Sequence, residues 1–214
     1  DLWRTERREL TGKELRSAYG LQGAPFDIYV HPDTVVDDQK DRILWYHRNE
    51  ASIWENNLKH QGLGGFISQS TDPLLGRTFG GRIEGANLVS ADATTLTSSE
   101  AGKHFEVSIY PHCAQTDSAE RWIDQLDRSV TRCREQSLET AGKNHRAWWN
   151  AFWDRSWIRV SGSPDLETLT RAYTLQRWVT ACGGRGVHPI KFNGSIFTVD
   201  GDGFDADYRN WGGP

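Results

Sequence analysis

The sequence predicts two regions of different character, an antiparallel β-sandwich and a helical region, joined by a linking helix. Short alternating segments, punctuated by Gly, Pro, Asn and Asp, occupy the first half of the chain, which favours a sandwich. Apolar residues at helical spacing begin near residue 118. Between the two regions lies a tryptophan-rich stretch, residues 145–157, which fits either a buried linking helix or an ordinary core helix of one domain.

The composition excludes several classes of protein. A chain of 214 residues is long enough for one large or two small domains, and a net charge of −4 argues against a nucleic-acid partner. Charged residues recur every few positions in the tryptophan-rich stretch, which excludes a membrane helix there. The ten tryptophans are unusual. Most of them are expected to fill a core, although a flat indole also suits stacking on a sugar ring.

The spacing of cysteines and histidines gives little support for a metal site or a disulfide framework. Cys113, Cys133 and Cys182 form no C-x-x-C pair and are expected to be buried and reduced, although one disulfide remains possible. The histidines form no H-x-x-x-H or H-E-x-x-H motif, and Asp200–Asp207 lacks the residues that a calcium loop requires. We therefore expect neither a metal nor a cofactor.

The chain begins at Asp1 and contains no methionine, which indicates a processed, trimmed or partial chain.

Six segments carry strand-like patterns. They are Phe26–His31, Arg42–His47, Arg82–Glu84, Leu88–Ser90, Thr94–Ser98 and Phe105–Tyr110. Their short lengths and frequent turn residues are typical of an antiparallel sandwich.

Three helices are predicted. The first covers residues 118–139, starts at a capping sequence and ends before Gly142. The second, His145–Ser156, places its Trp and Phe side chains on one broad face. The third begins at Ser163-Pro164-Asp165 and ends at Ala181 or Cys182, before a pair of glycines.

The segment after the third helix, residues 185–214, concentrates Arg, Lys, Asn, Asp, Tyr and Trp without a regular period. Guanidinium, amide and carboxylate groups pair well with vicinal hydroxyls, and an aromatic ring supplies a stacking face. A loop of this kind is typical of a sugar-binding surface, and a structural loop with internal ion pairs explains it equally well.

Four longer phrases carry a family resemblance. They are Trp45–Glu50, Asp72–Gly81, Trp148–Trp157 and Lys191–Thr198. Together they resemble a bacterial family called domain of unknown function 5703. That family is similar to inverting glycoside hydrolases in which a linking helix joins a β-supersandwich to an (α/α)6 barrel, the α-L-fucosidase family being the nearest characterised relative.

The resemblance implies a β-sandwich domain over residues 1–142, a linker helix over 143–160 and the truncated start of a barrel over 161–214. In the fucosidase-like relatives, the loop after the first barrel helix carries Asn residues that line the sugar pocket. Asn193 is therefore the best candidate substrate contact. Further candidates in the same loop region are Arg185, Lys191, Asp207, Arg209 and Trp211.

Two functions follow as expectations. The chain is either the N-terminal portion of an inverting glycoside hydrolase, inactive alone, or a non-catalytic carbohydrate-binding or scaffolding sandwich. In such enzymes the acid and base lie on later barrel loops, so no Asp or Glu here is assigned a catalytic role. The expected partners are a carbohydrate and the rest of the helical barrel, not nucleic acid or a membrane. The resemblance also implies a secreted or periplasmic protein, and the isolated piece is expected to expose apolar surface and dissolve poorly.

Overall fold

The computed structural model describes residues 4–11, 21 and 23–183. Antiparallel strands dominate the first part of the chain and helices the second. The chain divides into two compact units, residues 1–10 with 23–135 and residues 11–22 with 136–214. No helix in the described ranges has the length and apolarity needed to cross a membrane.

Eight strands and four α-helices are found within the described residues. The strands are β1 Arg8–Glu9, β2 Tyr29–Val30, β3 Thr34–Val35, β4 Arg42–Arg48, β5 Arg77–Gly85, β6 Leu88–Asp92, β7 Thr95–Ser98 and β8 Val107–Gln115. The helices are α1 Trp54–His60, α2 Ala119–Arg134, α3 Leu138–Asp154 and α4 Pro164–Gly183, and Gly64–Gln69 is a 3₁₀ helix.

The first unit is built around a four-stranded antiparallel sheet in the order β3-β4-β5-β8. Leu44 of β4 pairs with Arg82 of β5, which in turn pairs with Tyr110 of β8. Because side chains alternate across a strand, these three residues lie on one face of the sheet. Two further two-stranded sheets, β1-β2 and β6-β7, complete the strands of this unit.

Helix α2 supplies the core of the first unit. Its Trp122, Leu126 and Val130 are spaced by one helical turn and are 0 to 2% exposed. They pack on Leu44, and Tyr46 and Tyr110 border the same cluster. The helix begins where predicted, since Ser118 accepts a hydrogen bond from the Arg121 N–H as its N-cap.

The opposite face of the sheet is also apolar and remains accessible. Phe79, Val107 and Ile109 are exposed, Ile109 by 62%. Trp45 projects on this face from β4, opposite Gly81 of β5, where an added Cβ would lie 2.7 Å from the Tyr110 carbonyl oxygen. A sheet with two apolar faces is typical of the middle of a layered fold.

Three local expectations are wrong. Gly142 lies inside α3, and the helix break falls earlier, because Ser137 caps α3 by accepting from the Thr140 N–H. Strand β8 continues through Pro111 to Gln115. Because β8 is an end strand, it tolerates a residue that has no backbone N–H to donate. The cysteines Cys113, Cys133 and Cys182 are unbridged, as expected, but exposed.

The second unit contains α3 and α4. On α3 the Trp148 and Phe152 rings stack, as do Trp149 and Trp153, so the predicted aromatic face exists. Trp148 is exposed and the other three rings are half-buried. The segment between the helices runs beside α4, since the Val160 N–H donates to the Thr170 hydroxyl.

Candidate functional site

The six residues that the sequence suggested as substrate contacts lie outside the described residues. They are Arg185, Lys191, Asn193, Asp207, Arg209 and Trp211. All six follow Gly183, the last residue of α4, in the sequence. The site described below belongs to the first unit and is formed by other residues.

A cleft of about 360 Å³ opens at the end of β4, between that strand, β2 and the N-terminal segment. Its size falls within the range of small-molecule pockets. Side chains with hydrogen-bonding groups line much of it: Arg4, Asp27, Tyr29, His47, Asn49 and Ser52.

A chain of polar contacts fixes the wall of this cleft. The Asp33 Oδ1 atom accepts from Arg4 Nε at 2.7 Å and contacts His47 Nδ1 at 3.0 Å. The Asp33 side chain is only 7% exposed and the His47 side chain 11%. Phe79 packs against both partners, with its ring 5.2 Å from the His47 ring and 5.3 Å from the Arg4 guanidinium carbon. The imidazole therefore has a fixed orientation.

His47 is a neutral base in this setting. Burial, followed by the positive charge of Arg4, lowers the pKa of His47 below its usual value of 6.5 and outweighs the opposing effect of Asp33. Because the Asp33 carboxylate only accepts hydrogen bonds, Nδ1 carries the proton and Nε2 keeps a lone pair. Within the described residues, Nε2 has no hydrogen-bond donor, so it is available to a ligand hydroxyl.

The neighbouring residue, Arg48, anchors the end of β4. Its guanidinium donates to the Gly76 carbonyl at 3.1 Å and to the hydroxyls of Thr78 and Thr116 at 2.8 and 3.2 Å. It also donates to the Thr116 carbonyl at 2.9 Å. Gly76 has φ +71°, and a Cβ added at this residue would lie 2.6 Å from the Thr116 carbonyl oxygen. These contacts join β4, β5 and the turn before α2, and so hold the cleft-forming end of β4 in place.

A second polar cluster lies between the sheet and α2, but its charges are already paired. Arg82 contacts Glu84 and, at 3.1 Å, Asp127, while Glu84 also binds Arg134 and raises the pKa of that arginine. Such a network attaches α2 to β5. Within the part of the chain that the structure describes, no group of three or more His, Cys, Asp or Glu side chains is placed to hold a metal ion.

The cleft suits a ligand rich in hydroxyl groups. Nε2 of His47 and the carboxylate of Asp27 accept hydrogen bonds, and Asn49 carries an amide. The Tyr29 ring lies beside them, and the Arg7 guanidinium covers one of its faces, with its carbon 3.6 Å from the ring centroid. Acceptors, an amide and an aromatic ring around one small cleft are groups that can orient a polar small molecule.

Sequence reasoning predicted the strand that carries His47 but did not identify this site. The alternation of β4 places His47 on the face opposite Leu44 and Tyr46, and Arg48, Asn49 and Glu50 form a polar cluster in the sequence. That alternation could have marked His47 as a residue near a strand end. The approach of Arg4 and Asp33 depends on long-range pairing, which no local pattern reveals.

Comparison with known proteins gives one finding. The family model for the N-terminal part of DUF5703, a domain of unknown function, matches residues 1–158. The description of that family names no activity. No curated protein and no solved structure matches the chain significantly. The match covers about three quarters of the sequence, including the cleft, the sheet and the whole of the tryptophan-rich stretch. The chain therefore belongs to the DUF5703 family, as its N-terminal domain.

Proposed function

We propose that this chain is the N-terminal portion of a protein that hydrolyses the O-glycosyl bonds of a glycan with inversion. The observation that carries the glycan part of the proposal is the cleft beside His47. Its fixed imidazole acceptor, carboxylate, amide and phenol match the hydroxyls and the apolar face of a pyranose. The hydrolytic part is supported by the resemblance to enzymes of this architecture.

The fold gives further support to this architecture. The sheet is apolar on both faces, and α2 covers only one of them, as expected for one layer of a sandwich. Helix α3 follows with an aromatic face, and α4 exposes Leu169, Leu175 and Trp178. We infer that the strands belong to a supersandwich, that α3 is the linker and that α4 begins a helical barrel.

The six residues after α4 complete the proposal. Asn193 is the proposed direct sugar contact, and Arg185, Lys191, Asp207, Arg209 and Trp211 are proposed to line the same substrate pocket. The general acid and base are proposed to lie on other barrel loops. The natural setting is proposed to be periplasmic or extracellular.

The decisive experiment measures hydrolysis of a panel of aryl glycosides by the full-length protein. We expect cleavage of at least one substrate and a lower turnover number for Asn193→Ala. Cleavage of none of them, with a correctly folded protein, contradicts the hydrolase proposal.

Glycan binding is tested separately by calorimetry on the full-length protein. His47→Phe keeps a ring against Phe79 but removes the Nε2 acceptor, so we expect about tenfold weaker binding of an oligosaccharide. His104→Phe, at an exposed histidine, is the matched control and should bind like the wild type. Equal affinities for both variants would exclude the cleft as the binding site.

A second function is carbohydrate binding without catalysis. The cleft alone supports it, since the Asp33 carboxylate beside the oriented imidazole is engaged by both Arg4 and His47 and no residue of the cleft is assigned a catalytic role. Oligosaccharide binding by a full-length protein that cleaves nothing would establish this function instead.

A further inference from the structure

Strand β8 leaves one edge of the central sheet open. It is an end strand in the order β3-β4-β5-β8, and none of the described strands pairs with its outer side. The Thr116 N–H donates to the Gly76 carbonyl at the end of the β5 ladder. Because such bonds alternate along an antiparallel pair, the even-numbered residues of β8 bond β5 and the odd-numbered ones direct their N–H and C=O groups outward.

The open edge has little protection against pairing with another strand. Edge strands are usually blunted by charged side chains, and Val107–Gln115 contains no Lys, Arg, Asp or Glu. Pro111 lies at the centre of the edge and removes one outward donor, while Ile109 and Cys113 on either side keep theirs. Most of the pairing capacity of the edge therefore remains.

A groove of about 880 Å³ lies beside this edge, between β8 and the exposed side of α2. His112 of β8 lines it, and no residue of β3, β4 or β5 does, so the groove lies at the outer end of the sheet. Asp124, Arg128 and Arg132 of α2 supply charges to its wall. Among the described residues, no ion pair engages Asp124 or Arg128.

Helix α2 runs antiparallel to β8. Gln125 contacts His112 at 3.3 Å near the start of the helix. At the other end, Arg134 binds Glu84, which the strand register places opposite Ser108. The middle of β8 therefore lies beside the middle of α2.

The exposed charges of α2 are arranged to pair with a second copy of the same helix. Two acids, Glu120 and Asp124, are followed by two arginines, Arg128 and Arg132, at intervals of four residues. When two such helices lie side by side and antiparallel, the acids of each helix face the arginines of the other. A surface that complements itself in this way is typical of a two-fold symmetric interface.

We propose that two copies of this protein pair through β8, antiparallel and centred on Pro111, so that their sheets join into one. The two prolines then face each other, where neither strand needs a donor, and Ile109 of each copy lies opposite Cys113 of the other. The two α2 helices lie next to each other on one face of the joined sheet, with Asp124 of each copy facing Arg128 of the other. This interface is independent of the proposed glycan function.

Charge reversal in the full-length protein tests the helix contact, with self-association measured by sedimentation equilibrium. Asp124→Arg and Arg128→Asp each place like charges against each other, so each should raise the dimer Kd at least about tenfold. An equimolar mixture of the two variants should dimerise again, since every arginine then faces an acid across the interface. Arg171→Asp, at an exposed position of α4, is the matched control and should dimerise like the wild type.

Cross-linking tests the strand register. Opposite residues of a hydrogen-bonded antiparallel pair have Cα atoms about 5.5 Å apart, which a disulfide can span. Ile109→Cys should therefore form a covalent dimer with Cys113 of the second copy under mild oxidation. Val107→Cys, two residues further along the same face, is the matched control and should form much less.

Three results would overturn the inference. The first is a wild-type protein that stays monomeric at every concentration, which would leave the β8 edge to a strand of another protein. The second is a mixture of Asp124→Arg and Arg128→Asp that dimerises no better than either variant alone. The third is equal cross-linking by Ile109→Cys and Val107→Cys. Glycoside hydrolysis by a monomer would support the proposed function and reject this interface, and a dimer that cleaves nothing would do the reverse.

Discussion

At the scale of single residues, His47 is subject to two opposing influences. Its imidazole is oriented by a carboxylate, and yet burial and the nearby Arg4 charge lower its pKa and keep it neutral. A neutral, fixed imidazole is a good hydrogen-bond acceptor near pH 7, and it is also a sensitive probe of pH-dependent stability.

The lowered pKa of His47 makes a prediction about stability. Near pH 6 the unfolded histidine binds a proton that the folded one does not, so the free energy of unfolding falls as the pH drops through and below 6.5. Above that value the effect disappears. We expect wild-type protein to lose more stability than His47→Phe between pH 7 and pH 5, measured by urea unfolding. The acidic groups with lowered pKa titrate below this window. Parallel pH profiles for the two proteins would contradict the prediction.

Arg48 makes a second prediction. Arg48→Ala removes four hydrogen bonds and leaves the Gly76 and Thr116 carbonyls without that donor, so we expect a loss of about 2–3 kcal/mol in the free energy of unfolding. Arg121→Ala, on the exposed surface of α2, is the control and should change stability by less than about 0.5 kcal/mol. Urea titration followed by circular dichroism measures both. An Arg48 effect as small as that of the control would show that its contacts are dispensable.

At the scale of elements, the agreement between sequence and structure follows the strength of local signals. The alternating pattern located β4 almost to its ends, and the Ser118 cap with the Trp122, Leu126 and Val130 spacing located α2. The alternation predicted a strand only as far as Tyr110, whereas β8 continues through Pro111 to Gln115, and its position at the end of the sheet makes that proline acceptable.

The candidate site was less accessible to prediction than the elements. His47 belongs to a predicted strand, but its partners Arg4 and Asp33 come from segments with weak local patterns. The Arg177 guanidinium, within a predicted helix, likewise lies among aromatic rings of both α3 and α4. Such arrangements depend on tertiary packing, which a period of 2 or 3.6 residues does not encode.

Helix α3 makes the third prediction. Gly142 has helical neighbours on both sides, and a Cβ there would approach only the Arg146 side chain, at 3.4 Å. Gly142→Ala should therefore stabilise the protein by about 0.5–1 kcal/mol, since alanine loses less backbone entropy on folding. Gly162→Ala is the contrasting variant: Gly162 has φ +120°, so alanine there should destabilise the protein. Thermal or urea unfolding compares them, and a destabilised Gly142→Ala would show that the flexible Arg146 side chain cannot move aside.

At the scale of the whole molecule, large apolar side chains remain exposed in both units. Ile109 and Phe105 are examples in the first unit, and Trp157 and Leu169 in the second. Exposed apolar surface on this scale is typical of a protein that associates with other surfaces.

The fourth prediction concerns the 214-residue chain in isolation. We expect it to self-associate at micromolar concentration and to bind a hydrophobic dye, and we expect Leu169→Gln combined with Leu175→Gln to reduce both. Thr168→Gln, on an exposed and already polar position of α4, is the control. Size-exclusion chromatography with light scattering gives the answer, and a monodisperse wild-type monomer that excludes the dye would contradict the prediction.

The strand pairing of the central sheet has a consequence for how fast the chain folds. Among the paired residues of β4 and β5, Arg48 and Thr78 lie closest in sequence. Among those of β5 and β8, the closest are Gly85 and Val107. Both of these ladders therefore close a long loop before they gain a hydrogen bond, whereas the ladder of β3 with β4 closes a short one, from Val35 to Trp45. The first unit should accordingly fold in milliseconds to seconds, more slowly than the local α3 helix, and its β strands should be the last to gain protection in a pulsed hydrogen-exchange experiment.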